Sequence, residues 1–163
     1  TTANFFFRNE YGNVFADLTD DYGFQNYMIV SAYTVVDFDR DGDLDFITNS
    51  INGPLWLLRN NTKDANSITF RLTDTVGNHY GIGTVFTIHY GPETKRHQMR
   101  EIKAGGGYLS FDEPIAHFGL GQYQQVDHLM IRWSTGGVTE ISGPFKAGHH
   151  YHLERRVKVP EIN

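Results

Sequence analysis

Nine residues, Asp37-Phe38-Asp39-Arg40-Asp41-Gly42-Asp43-Leu44-Asp45, constrain this chain more than any other stretch, because they set five carboxylates at alternate positions with a glycine sixth. Carboxylates packed this closely repel one another, by about 4 kcal/mol for a pair about 4 Å apart at an effective dielectric near 20. One arginine, Arg40, does not neutralise them. A folded loop of this composition calls for a divalent cation. Calcium fits better than magnesium, since it accepts six to eight oxygens in a flexible shell while magnesium demands a tight octahedron. The expected ligands are Asp37, Asp39 and Asp41 by side chain, Asp43 by its backbone carbonyl and Asp45 closing the shell, with Gly42 making the turn.

The spacing begins like an EF-hand, but the twelfth position from Asp37 is Thr48 instead of Glu, and the flanks Ala32–Val36 and Leu44–Thr48 are rich in β-formers. Strand signals dominate elsewhere, and no apolar stripe of helical period and length is present. Expected strands are Tyr33–Asp37, Leu44–Asn49, Leu55–Arg59, Ser67–Thr73, Gly83–His89, Arg96–Lys103, Tyr108–Phe111, Val126–Trp133, Val138–Ile141 and His150–Arg156. The net charge of −5 argues against nucleic acid as a partner, and no apolar run reaches the roughly 18 residues of a membrane-spanning helix. The absence of cysteine removes disulfide scaffolds and thiol chemistry.

Phe5-Phe6-Phe7-Arg8-Asn9 and Trp56-Leu57-Leu58-Arg59-Asn60 are apolar runs ending in Arg-Asn, and their starts at positions 5 and 56 lie 51 residues apart. That interval is the size of a propeller blade. The first copy continues into Gly12–Thr19, a turn and short outer strand, while the second continues into the polar linker Asn61–Asn66, where the pattern changes. The stretch from Asn4 to Asn60 resembles the FG-GAP/VCBS repeats of β-propellers. From Ser67 onward the chain resembles the ASPIC/UnbV domain. That likeness rests on Gly77-Asn78, Gly81–Val85, Arg100-Glu101, Gly106–Ser110, His117-Phe118-Gly119-Leu120-Gly121, Val126-Asp127 and Ile131-Arg132-Trp133. It departs from the family at Trp133-Ser134-Thr135-Gly136, where the family usually has Trp-Pro-Ser-Gly. The likeness implies an all-β chain: a partial propeller-like repeat at 1–66 bearing the calcium loop, a compact antiparallel β domain at 67–155 and a tail at 156–163. It implies no established catalytic machinery.

The remaining chemistry is judged on the residues themselves. Gly105-Gly106-Gly107 lacks the Lys-Ser/Thr of a phosphate loop and reads as a bend, and Gly119-Leu120-Gly121 reads as a turn. Among His149, His150 and His152, only the last two share a strand face, so a structural strand end is favoured over a transition-metal site. His117 reads as a hydrogen-bonded core residue, and Asp112-Glu113-Pro114 as a turn. Asn60-Asn61-Thr62 is a glycosylation sequon. No nucleophile elbow or triad spacing appears, so an enzyme is not expected.

These features point to an exported, calcium-binding structural or adhesive module, found outside the cell or at its surface, that pairs with copies of itself to build filaments or engages another extracellular protein. The tail from Arg156 to Pro160, alternating polar and β-branched residues, is expected to add to a neighbour's open strand edge. A carbohydrate-binding module remains the alternative, since nine tyrosines offer aromatic platforms for glycans.

Overall fold

The computed structural model describes residues 4–24, 29–63 and 65–156, and twelve strands account for nearly all of its regular structure. Five lie before the polar linker: β1 (Phe7–Tyr11), β2 (Val14–Asp17), β3 (Val30–Val36), β4 (Asp45–Ser50) and β5 (Trp56–Leu58). The hairpin β1–β2 turns at Gly12, whose φ of 66° is reached without strain only by glycine. Strands β3, β4 and β5 form a separate antiparallel sheet in that order. Both copies of the apolar run contribute to strands, the first entering β1 at Phe7 and the second forming β5 with Trp56–Leu58. Phe6, Phe24 and Phe46 knit the two sheets together, with Phe6 and Phe24 stacked at 4.9 Å and Phe24 edge-on to Phe46 at 5.4 Å.

Seven strands follow: β6 (Asn66–Asp74), β7 (Val85–Tyr90), β8 (Arg96–Glu101), β9 (Ile115–Gly121), β10 (Gln125–Arg132), β11 (Val138–Lys146) and β12 (His150–Arg155). They make a four-stranded sheet, β11-β10-β7-β8, and a three-stranded sheet, β12-β6-β9. Alternate residues of both sheets point into one core, with Phe70 of β6, Phe86 of β7, Phe118 of β9 and Leu129 of β10 all fully buried. The all-β expectation holds. Every pairing is antiparallel except β12 with β6, which run parallel over six residue pairs from His150↔Thr69 to Arg155↔Asp74.

Two local expectations are corrected. Gly119-Leu120-Gly121 is no free-standing turn but the end of β9, with Ala116, Phe118 and Leu120 facing the core and the glycines facing out. Tyr108–Phe111 is not a strand. Leu109 takes a left-handed φ of 52°, and only an isolated bridge joins Gly107 to Ser110. The expected His150–Arg156 strand ends at Arg155, and the tail beyond Arg156 lies outside the described residues.

Candidate metal centre

The acidic loop is the connection between β3 and β4, so the antiparallel pair Val36↔Asp45 brings its two ends together. Asp37, Asp39 and Asp45 each offer a carboxylate oxygen within 4.8 Å of the others. Two oxygens bound to one calcium at 2.3–2.6 Å lie at most about 5 Å apart, so this spacing fits a shared ion. Asp45 is fully buried, and its oxygens accept hydrogen bonds from the backbone N–H of Asn60 (2.7 Å) and of Phe38 (3.1 Å). Asp37 Oδ2 accepts from the N–H of Gly42 at 3.1 Å, which folds the loop back on itself. Its other oxygen, Asp37 Oδ1, is buried with no hydrogen-bond partner. A buried carboxylate oxygen without a donor is costly, and a cation is the group that suits it.

Asp41 and Asp43 stand apart from this trio. Asp41 Oδ1 accepts from the N–H of Asp43 at 3.0 Å, and its Oδ2 lies toward Arg59. Asp43 Oδ2 is buried and unpartnered. Burial pushes the Asp43 carboxyl above the ordinary range, the charges of Asp41, Asp37 and Asp45 push it further, and His117 opposes them. Part of the countercharge comes from Arg59, which follows β5. Its guanidinium lies 2.7 Å from Asp39 Oδ2 and 3.6 Å from Asp41 Oδ2. The signal for Arg59 was present in the repeated Arg-Asn pair, although its link to the loop is visible only in the fold.

The loop is fastened to the second half of the chain. His117, on the outward face of β9, donates its Nε2–H to the carbonyl of Gly42 at 2.8 Å; the acceptor fixes the tautomer. Gly42 has a φ of 96°, and a Cβ there would sit 2.7 Å from Ser67 Oγ. Turn and docking both therefore demand glycine. Asp112, expected in a simple turn, reaches β3: its Oδ1 accepts from Thr34 Oγ1 (2.9 Å) and from the N–H of Val35 (3.0 Å). Its carboxylate also covers Gly106, where a Cβ would lie 2.1 Å from Asp112 Oδ2. The next residue, Glu113, forms an ion pair with Arg71 of β6. Asn60 of the sequon holds a local turn, its Oδ1 accepting from the N–H and hydroxyl of Thr62.

The sequence profile of the ASPIC and UnbV family matches residues 74–159, more than half of the chain. The chain belongs to that family. The family's profile begins at Asp74, the last residue of β6, although the whole of β6 from Asn66 is built into the domain. The chain is also similar to cartilage acidic protein 1 of Mus musculus, with 33% identity over 111 residues, and to that of Homo sapiens, with 33% identity over 105 residues. The matched residues are 66% and 63% of this chain, but only 17% and 15% of those relatives, so the chain spans about a sixth of their length.

The family motifs have structural work in the ASPIC and UnbV domain. Asn78 closes a turn by accepting from the N–H of Ile82 at 2.6 Å and donating to its carbonyl at 2.8 Å. At the departure from the usual Trp-Pro, the N–H of Ser134 donates to Thr84 Oγ1 at 3.3 Å, a bond that proline would lack. The His149–His152 cluster does not converge. His150 Nδ1 pairs with Thr69 Oγ1 and His152 Nε2 with Thr73 Oγ1, each at 2.7 Å, while His149 Nδ1 lies 3.0 Å from the carbonyl of Ala147.

Proposed function

We propose that this chain is an exported structural module in which calcium, held by the β3–β4 loop, fixes a partial propeller-type repeat against the ASPIC and UnbV domain. One observation carries the reading: Asp37, Asp39 and Asp45 converge while Asp37 Oδ1 is buried without a donor. In this reading Asp41 and the Asp43 carbonyl complete the shell, and Arg59 gives up part of its contact with Asp39 when the ion enters. Calcium would supply positive charge and gather the loop's oxygens around one point. The residues do the rest: Asp45 ties the loop to Asn60, and Gly42 passes its position to His117.

The repeat reading draws support from the hairpin β1–β2 and the sheet β3–β5, which this reading takes as the end of one blade and the start of another. Export is supported by the likeness to a protein named for cartilage and by the type of loop, since extracellular calcium modules work at about 10⁻⁴ to 10⁻³ M. A non-catalytic role agrees with Asp112 and Glu113 being occupied by Val35 and Arg71. Self-association is supported by the exposure of Phe5, Phe7, Val14 and Phe15, an apolar surface that a neighbour would cover.

The test is calcium titration by calorimetry, with native mass spectrometry of the same sample. One calcium per chain, lost in Asp37→Asn, is the expected result. A chain that binds no calcium at millimolar concentration would falsify the reading. Light scattering in calcium reads association separately, and a monomer at every concentration removes the self-assembly part alone.

A further inference from the structure

Three histidines stand in a row on the outer face of the four-stranded sheet, far along the chain from the acidic loop. His97 of β8 is directly opposite His89 of β7, and His89 is directly opposite His128 of β10. Ring centroids are 6.0 Å apart for His89 and His97, and 5.8 Å apart for His89 and His128. The registers explain the row, because neighbouring strands put cross-strand partners on the same side of the sheet. Beyond His128, Glu140 of β11 brings Oε2 to 3.8 Å from His128 Nε2.

We infer that this row is a second metal site, one that takes a borderline divalent transition ion such as Zn²⁺ or Cu²⁺ through His89, His97 and His128, with Glu140 as the fourth donor or as the group that orients His128. The donor set is the argument for the class of ion. Imidazole suits zinc and copper, whereas calcium takes oxygen ligands. The spacing is the argument for a shared ion. With metal–nitrogen bonds of about 2.0–2.1 Å, each ring centroid lies about 3.2 Å from the metal, and two rings at a tetrahedral angle are about 5.2 Å apart. Both neighbouring pairs are within about 1 Å of that value without any backbone change.

The three rings stand side by side in place of surrounding a point, so closing the site takes rotation of side chains. His97 is exposed, and the His128 side chain is 32% exposed, so both outer rings have room to turn toward His89. By contrast, each ring of the His149–His152 run is already hydrogen-bonded to a threonine or a backbone carbonyl. Nothing in this site depends on the calcium reading, because no residue is shared between the two.

The experiment is titration of the full chain with Zn²⁺ and with Cu²⁺ in saturating calcium, with electron paramagnetic resonance of the copper-loaded protein. One equivalent is expected to bind, with nitrogen hyperfine structure from imidazoles. Substitution His89→Ala, at the centre of the row, is expected to weaken binding at least tenfold. His97→Ala, at an exposed position that leaves the fold intact, is expected to weaken it as well, and Glu140→Gln is expected to weaken it less. His150→Ala is expected to leave it unchanged. Loss of binding in His150→Ala with none in His89→Ala or His97→Ala overturns the inference, as does a copper signal without nitrogen coupling.

Discussion

Between Ile68 and Phe145 sixteen apolar side chains are buried, whereas among the described residues before Asn66 no apolar side chain reaches the same depth. The deepest side chains there are Thr19, Asp45, Thr48 and Ser50, and large apolar residues such as Phe5, Phe7 and Leu55 face outward. One region is therefore organised by close packing between two sheets. The other is organised by hydrogen bonds to carboxylates, a small aromatic cluster and the contacts it makes with its neighbour. A chain of one composition thus holds two unlike halves, and each should respond to a different insult.

The sharpest break is a matched pair of truncations. Phe70→Ala empties a fully buried site touching Phe86, Phe118 and Phe145, and should cost about 3–5 kcal/mol in urea unfolding. Phe7→Ala removes a ring that is 55% exposed and should change stability by no more than about 0.5 kcal/mol. Similar losses in the two variants would mean that the first region is packed in solution by something this chain alone does not supply.

Calcium should act on the other half. At 100 times its dissociation constant the ion adds about 2.7 kcal/mol to whatever unit it binds. The two tryptophans separate the units, since Trp56 lies in β5 and Trp133 directly after β10. With single-tryptophan variants, the Trp56 transition should rise with calcium and fall with chelator, and the Trp133 transition should move less. Equal shifts would show that His117 and Asp112 weld the halves into a single cooperative unit.

Within the loop, Asp41→Ala removes a carboxylate that the proposed calcium shell uses, while Asp43→Ala keeps the carbonyl proposed for Asp43. Asp41→Ala should therefore lose at least about tenfold in calcium affinity, or about 1.4 kcal/mol, and Asp43→Ala much less. Equal losses by calorimetry would reassign the buried Asp43 carboxylate to the ion. A modest effect is expected at the joint: His117→Ala deletes one hydrogen bond to Gly42 and should cost about 0.5–1.5 kcal/mol. It should also widen the difference between the Trp56 and Trp133 transitions, because it removes a tie between the halves and leaves the core residues of β9 in place.

Much of this division could be read before any fold was known. The alternation along Gly83–His89 and Val126–Trp133 identified β7 and β10, and the carboxylate spacing identified the loop that gathers Asp37, Asp39 and Asp45. Strand β9 was legible in principle, because Ala116, Phe118 and Leu120 alternate with polar or small residues, but its glycines suggested a turn. Tyr108–Phe111 misled in the opposite direction: its residues favour strands, yet it follows three glycines and ends against Asp112, and Tyr108 and Leu109 are exposed. The partners of the loop and of β3 were illegible. Arg59, His117 and Asp112 reach the loop or β3 through folding, and local patterns carry no information about contacts so distant in sequence. The histidine row was hidden for the same reason, since its members lie on three strands and share no local motif.

The parallel pairing of β12 with β6 has a mechanical consequence. The first region joins the domain at the start of β6, and the chain leaves it at the far end of β12. Tension applied along the chain would therefore drag these two neighbours past each other lengthwise, loading all six residue pairs together instead of unzipping them one at a time. A domain attached in this way would yield late and abruptly under pulling.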